Sequence, residues 1–168
     1  MCLRCDGYSE EQVRRALDLT ILTHGFAIQQ VDSHRPWTYT IGLLEGFGHP
    51  ELITVDLALD AQRELLAPLL SMITGTGALD QRWLTENEIE VVPVHEDHLA
   101  SSLVVMWSDH YGRGPHIGTF LQVLPPASWL CAGHGHVLTR LDAPGPGPAS
   151  VAPHPQANRA ARRARRRR

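Results

Sequence analysis

The chain has 168 residues, 43% hydrophobic and 20% charged, which suits one buried core and excludes a collagen-like or wholly disordered protein. All 15 basic residues are arginine, and the missing lysine excludes chemistry that needs an ε-amine: Schiff bases, pyridoxal phosphate anchoring and the phosphate lysine of a P-loop. The net charge of −3 divides into an acidic body, with eight arginines against eighteen acids over residues 1–150, and a basic tail, with seven arginines and no acid over residues 151–168.

No run approaches eighteen consecutive apolar residues, and the stretch from Met1 to Asp6 lacks the apolar core of a signal peptide. A cytoplasmic chain with no membrane association is the expectation. Three cysteines are too few for a disulfide scaffold, so reduced thiols are expected.

In chain order, Ser9-Glu10-Glu11-Gln12 has the pattern of a capping box, and Val13, Ala16, Leu17, Thr20 and Ile21 recur at helical spacing, predicting a helix over 10–24 that stops at Gly25. Phe26 to Val31 reads as a strand and Asp32 to Pro36 as a turn. Trp37-Thr38-Tyr39-Thr40-Ile41-Gly42-Leu43 reads as the central strand, with Trp37, Tyr39, Ile41 and Leu43 on one face. Gly46 to Pro50 reads as a tight turn, and Glu51 to Val55 as the third strand. Asp60 is placed as the cap of a helix to about Thr74, kinked at Pro68. After a short segment from Leu79 to Leu84, Ile89 to Val94 predicts an edge strand, because Pro93 cannot donate to a neighbour. One helix from Asp97 or Ser101 to Tyr111 and a last strand from Thr119 to Leu124 complete the pattern. The implied class is α+β: a largely antiparallel sheet with two or three packed helices. The globular domain is placed at 1–142. A linker follows over 143–158, where five prolines and two glycines fall in sixteen residues, and then a disordered basic tail over 159–168.

Cys2-x-x-Cys5-Asp6-Gly7-Tyr8-Ser9, His24-Gly25, Trp37-Thr38-Tyr39-Thr40-Ile41-Gly42-Leu43 and Gly48-His49-Pro50-Glu51-Leu52, in that order and spacing, resemble the uncharacterised bacterial family catalogued as domain of unknown function 4262. The resemblance covers roughly residues 1–124. It implies no activity, cofactor or catalytic residue. One departure is visible: the family strand similar to Leu121-Gln122-Val123 continues into an aspartate-containing turn, where this chain has Pro125-Pro126.

Three readings of function follow from the residues. The first is a binding or regulatory module whose ligand surface is built by Tyr39, Thr40 and Gly42 of the central strand with His49 and Glu51 of the following turn. There the glycine-rich bend offers backbone amides, His49 a titratable base and Glu51 an acceptor. A structural zinc is an optional brace, because Cys2 and Cys5 have the spacing of half a site and Cys131, His134 and His136 supply the remaining soft and borderline donors. The second is a small metal-assisted hydrolase using His49 and Glu51, or a metal left with an open position at Cys131, His134 and His136. The third is an adaptor whose tail, Arg159, Arg162, Arg163, Arg165, Arg166, Arg167 and Arg168, docks on nucleic acid or an acidic partner.

Other clusters read as structural. His95-Glu96-Asp97-His98 has its histidines three apart, where a metalloprotease helix needs four. Asp109-His110-Tyr111 fits a helix end, where the dipole favours histidine. Trp37, Tyr39, Trp107 and Trp129 read as core. No nucleophile elbow, dinucleotide fingerprint or Walker loop is present in the sequence.

Overall fold

The computed structural model describes residues 8–100, 102–130 and 138–145. Helix α1 (Glu10–His24) starts as its capping box requires: the Ser9 hydroxyl accepts from Gln12 N, and the Gln12 side chain accepts from Ser9 N. It ends at Gly25, whose φ of 81° is the left-handed turn that glycine adopts without a steric penalty. Strands β1 (Ala27–Val31), β2 (Trp37–Ile41) and β3 (Glu51–Val55) follow, then helices α3 (Leu59–Thr76) and α4 (Gln81–Glu86), with a short helix α2 (Leu43–Phe47) between β2 and β3. Strand β4 (Glu90–Pro93), helices α5 (Glu96–Leu99) and α6 (Val105–Tyr111) and strand β5 (Phe120–Leu124) complete the described order.

The five strands make one sheet in the order β1-β2-β3-β5-β4. Three pairings are antiparallel and one, β3 with β5, is parallel. The α+β expectation therefore stands in its coarse form, with a mixed sheet. Strand β4, carrying Pro93, lies at an edge, where a missing amide hydrogen costs no ladder bond.

Each face of the sheet buries a separate core. Leu17 of α1, Tyr39, Ile41 and Ile53 of the sheet, Trp107 of α6 and Phe120 of β5 make one. Leu52 and Val123 of the sheet pack against Leu65, Leu66, Leu69 and Ile73 of α3 in the other. Two-sided burial explains why β2 and β3 are buried along their whole length. It also needs more helices than the two or three expected: six α-helices occur among the described residues.

Four local expectations are corrected. The stretch around Gly46 is not an open hairpin bend, since Leu43–Phe47 is helical and only Gly48, at φ 67°, turns the chain. Leu43 does not share the face of Trp37, Tyr39 and Ile41; the backbone reverses at Gly42 and Leu43 enters the opposite core. Asp60 lies in the first turn of α3 with Ala58 at the cap, and Pro68 stands inside the helix, which extends to Thr76. The helix expected from Asp97 or Ser101 to Tyr111 is instead α5, a 3-10 turn at Ser102–Val104, and α6.

Candidate functional site

Of the residues singled out, Thr40, Gly42 and Glu51 meet, inside the protein, whereas His49 bonds the Pro50 carbonyl and Tyr39 packs on Phe120. The β2–β3 ladder pairs Thr38 with Thr54 and Tyr39 with Ile53, and then its register stops. Beyond that point the Thr40 hydroxyl takes the place of a ladder carbonyl: it accepts from Leu52 N at 2.8 Å and donates to Glu51 Oε2 at 2.7 Å. Glu51 is fully buried. Its Oε1 accepts from Gly42 N at 2.8 Å and Leu44 N at 3.4 Å, while Oε2 also accepts from Leu43 N at 3.3 Å.

A buried carboxylate forfeits several kcal/mol of hydration. Here a hydroxyl and the unpaired amides that open α2 offset that loss through charge-assisted bonds of about 1.5–3 kcal/mol each, helped by the positive end of the helix. Gly42 is required by this arrangement twice over. Its φ is 108°, and a Cβ there would sit 2.9 Å from the Gly25 carbonyl and 3.1 Å from Ile21. Gly46 has the same constraint from the other side, since its Cβ would meet the Gly25 carbonyl at 2.8 Å. The glycines of this segment thus let α2 slide under the end of α1.

His49 is 8% exposed, and its Nδ1 lies 2.7 Å from the Pro50 carbonyl. A carbonyl only accepts, so Nδ1 carries the hydrogen. Tyr39 is 1% exposed, packed edge-on against Phe120, and its hydroxyl is held well above the ordinary tyrosine range, first by burial and then by Asp109. Tyr111 lies on the same side; burial first, with the charges of Glu51 and Glu45 adding, pushes its hydroxyl up to about 12. That hydroxyl is buried and approaches the Gly42 backbone without completing a hydrogen bond. All five expected ligand residues, Tyr39, Thr40, Gly42, His49 and Glu51, are buried.

An open concavity lies one strand away. A groove of about 640 Å³ runs between the edge strand β1 and helix α3. Phe26, Ile28, Ala67 and Leu70 make its apolar wall, and Ser71 and Thr74 stand on the α3 side. Gln30 and Arg63 make its other end polar. The Gln30 amide donates to the Leu59 carbonyl and its oxygen accepts from Arg63, whose guanidinium also lies 4.0 Å from Asp60. Phe26 is held by an edge contact with Phe47 of α2, centroids 6.4 Å apart, so the buried lock at Glu51 supports the groove wall through α2.

Residues 20–128 match the family described as Domain of unknown function (DUF4262). The chain belongs to that family. No curated protein and no solved structure matches it.

The DUF4262 match ends ten residues before the last described stretch, in which Leu138 to Gly145 cross the body. Sequence reasoning missed the receptors of that stretch. Asp56, at a left-handed φ of 63°, receives a bidentate contact from Arg35 and two hydrogen bonds from Thr139. Gln122, fully buried, bonds Thr139 and Leu141. The signal was an amide at the centre of the apolar strand Phe120-Leu121-Gln122-Val123-Leu124, since an unpartnered amide there is costly.

Among the remaining candidates, His95 caps α5 by accepting from Asp97 N, His98 is buried, and His110 reaches Asp18 of α1 at 3.0 Å. Trp37 and Trp107 are core, whereas Trp129 is 41% exposed. Cys2, Cys5, Cys131, His134, His136 and the tail arginines Arg159, Arg162, Arg163 and Arg165 to Arg168 lie outside the described residues. Among the described residues no group of three or more His, Cys, Asp or Glu side chains could hold a metal ion, and no helix is long and apolar enough to cross a membrane.

Proposed function

We propose that the DUF4262 domain of this chain is a binding module whose ligand surface is the β1–α3 groove, and that its ligand is an elongated apolar molecule ending in an anion. The observation that carries this reading is the groove's lining: an apolar wall of Phe26, Ile28, Ala67 and Leu70, with the Gln30 amide and the Arg63 guanidinium at one end. Arg63 and Thr74 are separated by about 16 Å of helix, which sets the ligand's length. The volume falls in the range of small-molecule sites.

The motif residues take a supporting part in this reading. Thr40, Gly42 and Glu51 lock β2, α2 and β3 together, and α2 backs Phe26 through Phe47. A general-base role for Glu51 is disfavoured by the same geometry, because both of its oxygens already accept hydrogen bonds in a fully buried position.

Calorimetric titration with decanoate tests the proposal. The wild-type chain is expected to bind it, Ala67→Trp to lose at least tenfold in affinity by filling the groove, and Arg63→Ala to weaken decanoate while leaving decanol unchanged. Absence of decanoate binding, or equal binding by a folded Ala67→Trp variant, overturns the assignment.

A further inference from the structure

We propose that the cleft holding residues 138–143 is a recognition site for an extended peptide of the pattern Thr-x-Leu, filled in this structure by the chain's own segment. It packs on the core opposite the β1–α3 groove and stands independently of the function proposed above.

The receptor groups are mostly side chains. Asp56 Oδ2 accepts from Thr139 N at 2.9 Å and from its hydroxyl at 2.6 Å, so the first position is read as a hydroxyl-bearing residue. The Gln122 amide reads the backbone on both sides of the next residue: Nε2 donates to the Thr139 carbonyl at 2.7 Å, and Oε1 accepts from Leu141 N at 2.6 Å. His95 N donates to the Leu141 carbonyl at 2.6 Å, and His98 Nε2 to the Ala143 carbonyl at 2.9 Å. The Leu141 side chain is completely buried in the first core, which fixes the third position as a large aliphatic residue. Arg140, between them, points outward and donates both of its terminal nitrogens to the Glu90 carboxylate, so a cation suits the middle position.

A strand of a fold is held by a backbone ladder. This segment is held by a carboxylate, a side-chain amide and an imidazole, with one backbone bond from His95 N, aimed at an extended backbone, which is how a receptor grips a peptide. The carboxylate is preorganised: Asp56 sits in the left-handed region that non-glycine residues rarely adopt, with Arg35 fixing both of its oxygens. The matched family region ends at residue 128, so every receptor residue belongs to the family domain while the bound segment lies beyond it. Tethered in cis, the segment competes at an effective concentration on the order of millimolar, which shields the cleft from weaker ligands in trans.

The test uses the full chain carrying Thr139→Ala and Leu141→Ala, and a fluorescein-labelled peptide with the sequence of residues 135–145, followed by anisotropy. The variant is expected to bind the peptide at least tenfold more tightly than wild type, and a peptide with alanine at both anchor positions to lose at least tenfold. A folded variant that fails to bind, or equal binding by variant and wild type, overturns the proposal. Should the variant not fold, hydrogen exchange on the unaltered chain decides: exchange of Thr139 and Leu141 amides through an opening well below global unfolding supports a displaceable segment, and exchange only through global unfolding overturns it.

Discussion

Glu51 and Thr40 show how a sequence motif can look like a ligand site and serve as a joint. The acid, the hydroxyl and the glycine-bearing segment are the residue types an anion or proton-transfer site needs, and the same types satisfy the open end of a helix where two strands part. Sequence spacing brings the groups together and leaves their exposure open, because burial depends on α1 and α6 covering that end of the sheet. The energetic consequence is specific. Glu51→Gln places an amide donor among donors and is expected to cost about 3 kcal/mol, and Thr40→Val, which leaves Leu52 N without its acceptor, about 2 kcal/mol. Because the two side chains share a hydrogen bond, the double variant should be less destabilised than the sum by about 1 kcal/mol or more, as read from urea unfolding of all four proteins. Strict additivity would show that they do not act as one unit.

At the level of elements, α1 and the five strands were legible because capping, periodicity and turn residues agree there. Two features were not. Helix α2 spans five residues, below the length at which hydrophobic periodicity shows, and it forms because Glu51 caps it from the following strand. The 138–143 stretch has no strand pattern of its own, and its position is dictated by Asp56 and Gln122, which are distant in sequence. Its outer contact predicts a pH signature. Arg140 holds Glu90 and Asp142 below the ordinary carboxylate range, mainly through hydrogen bonds. A folded-state value below the unfolded one means a contribution that is complete above the unfolded values, about pH 4–4.5, and is lost as pH falls through the depressed ones. Glu90→Gln should therefore lower Tm slightly at pH 7, with the gap to wild type closing below about pH 4 and in about 1 M salt, because the pair is solvent-exposed. A gap that persists in acid would assign Glu90 a role other than charge pairing.

For the whole molecule, the two-sided sheet places one core under α1 and α6 and a second under α3, and the interior tyrosines of the first make its stability sensitive to base. Tyr39 and Tyr111 both bind their protons more tightly folded than unfolded. Their contribution is complete below the unfolded value of about 10 and is lost as pH rises toward the folded ones, so Tm should fall from about pH 10 upward. Tyr111→Phe removes a buried hydroxyl that completes no hydrogen bond. It should leave Tm at pH 7 equal to or above wild type and flatten the alkaline decline; a large loss at neutral pH would mean that the hydroxyl has a partner in solution.

Labour is divided between a buried motif that joins the sheet to α2 and the open groove proposed to bind. Amide NMR of the chain titrated with decanoate separates the two roles. Shifts should concentrate at Ile28, Gln30, Arg63, Ala67, Ser71 and Thr74; shifts centred instead on Tyr39 to Gly42 and His49 to Glu51 would place the ligand at the motif and contradict this division.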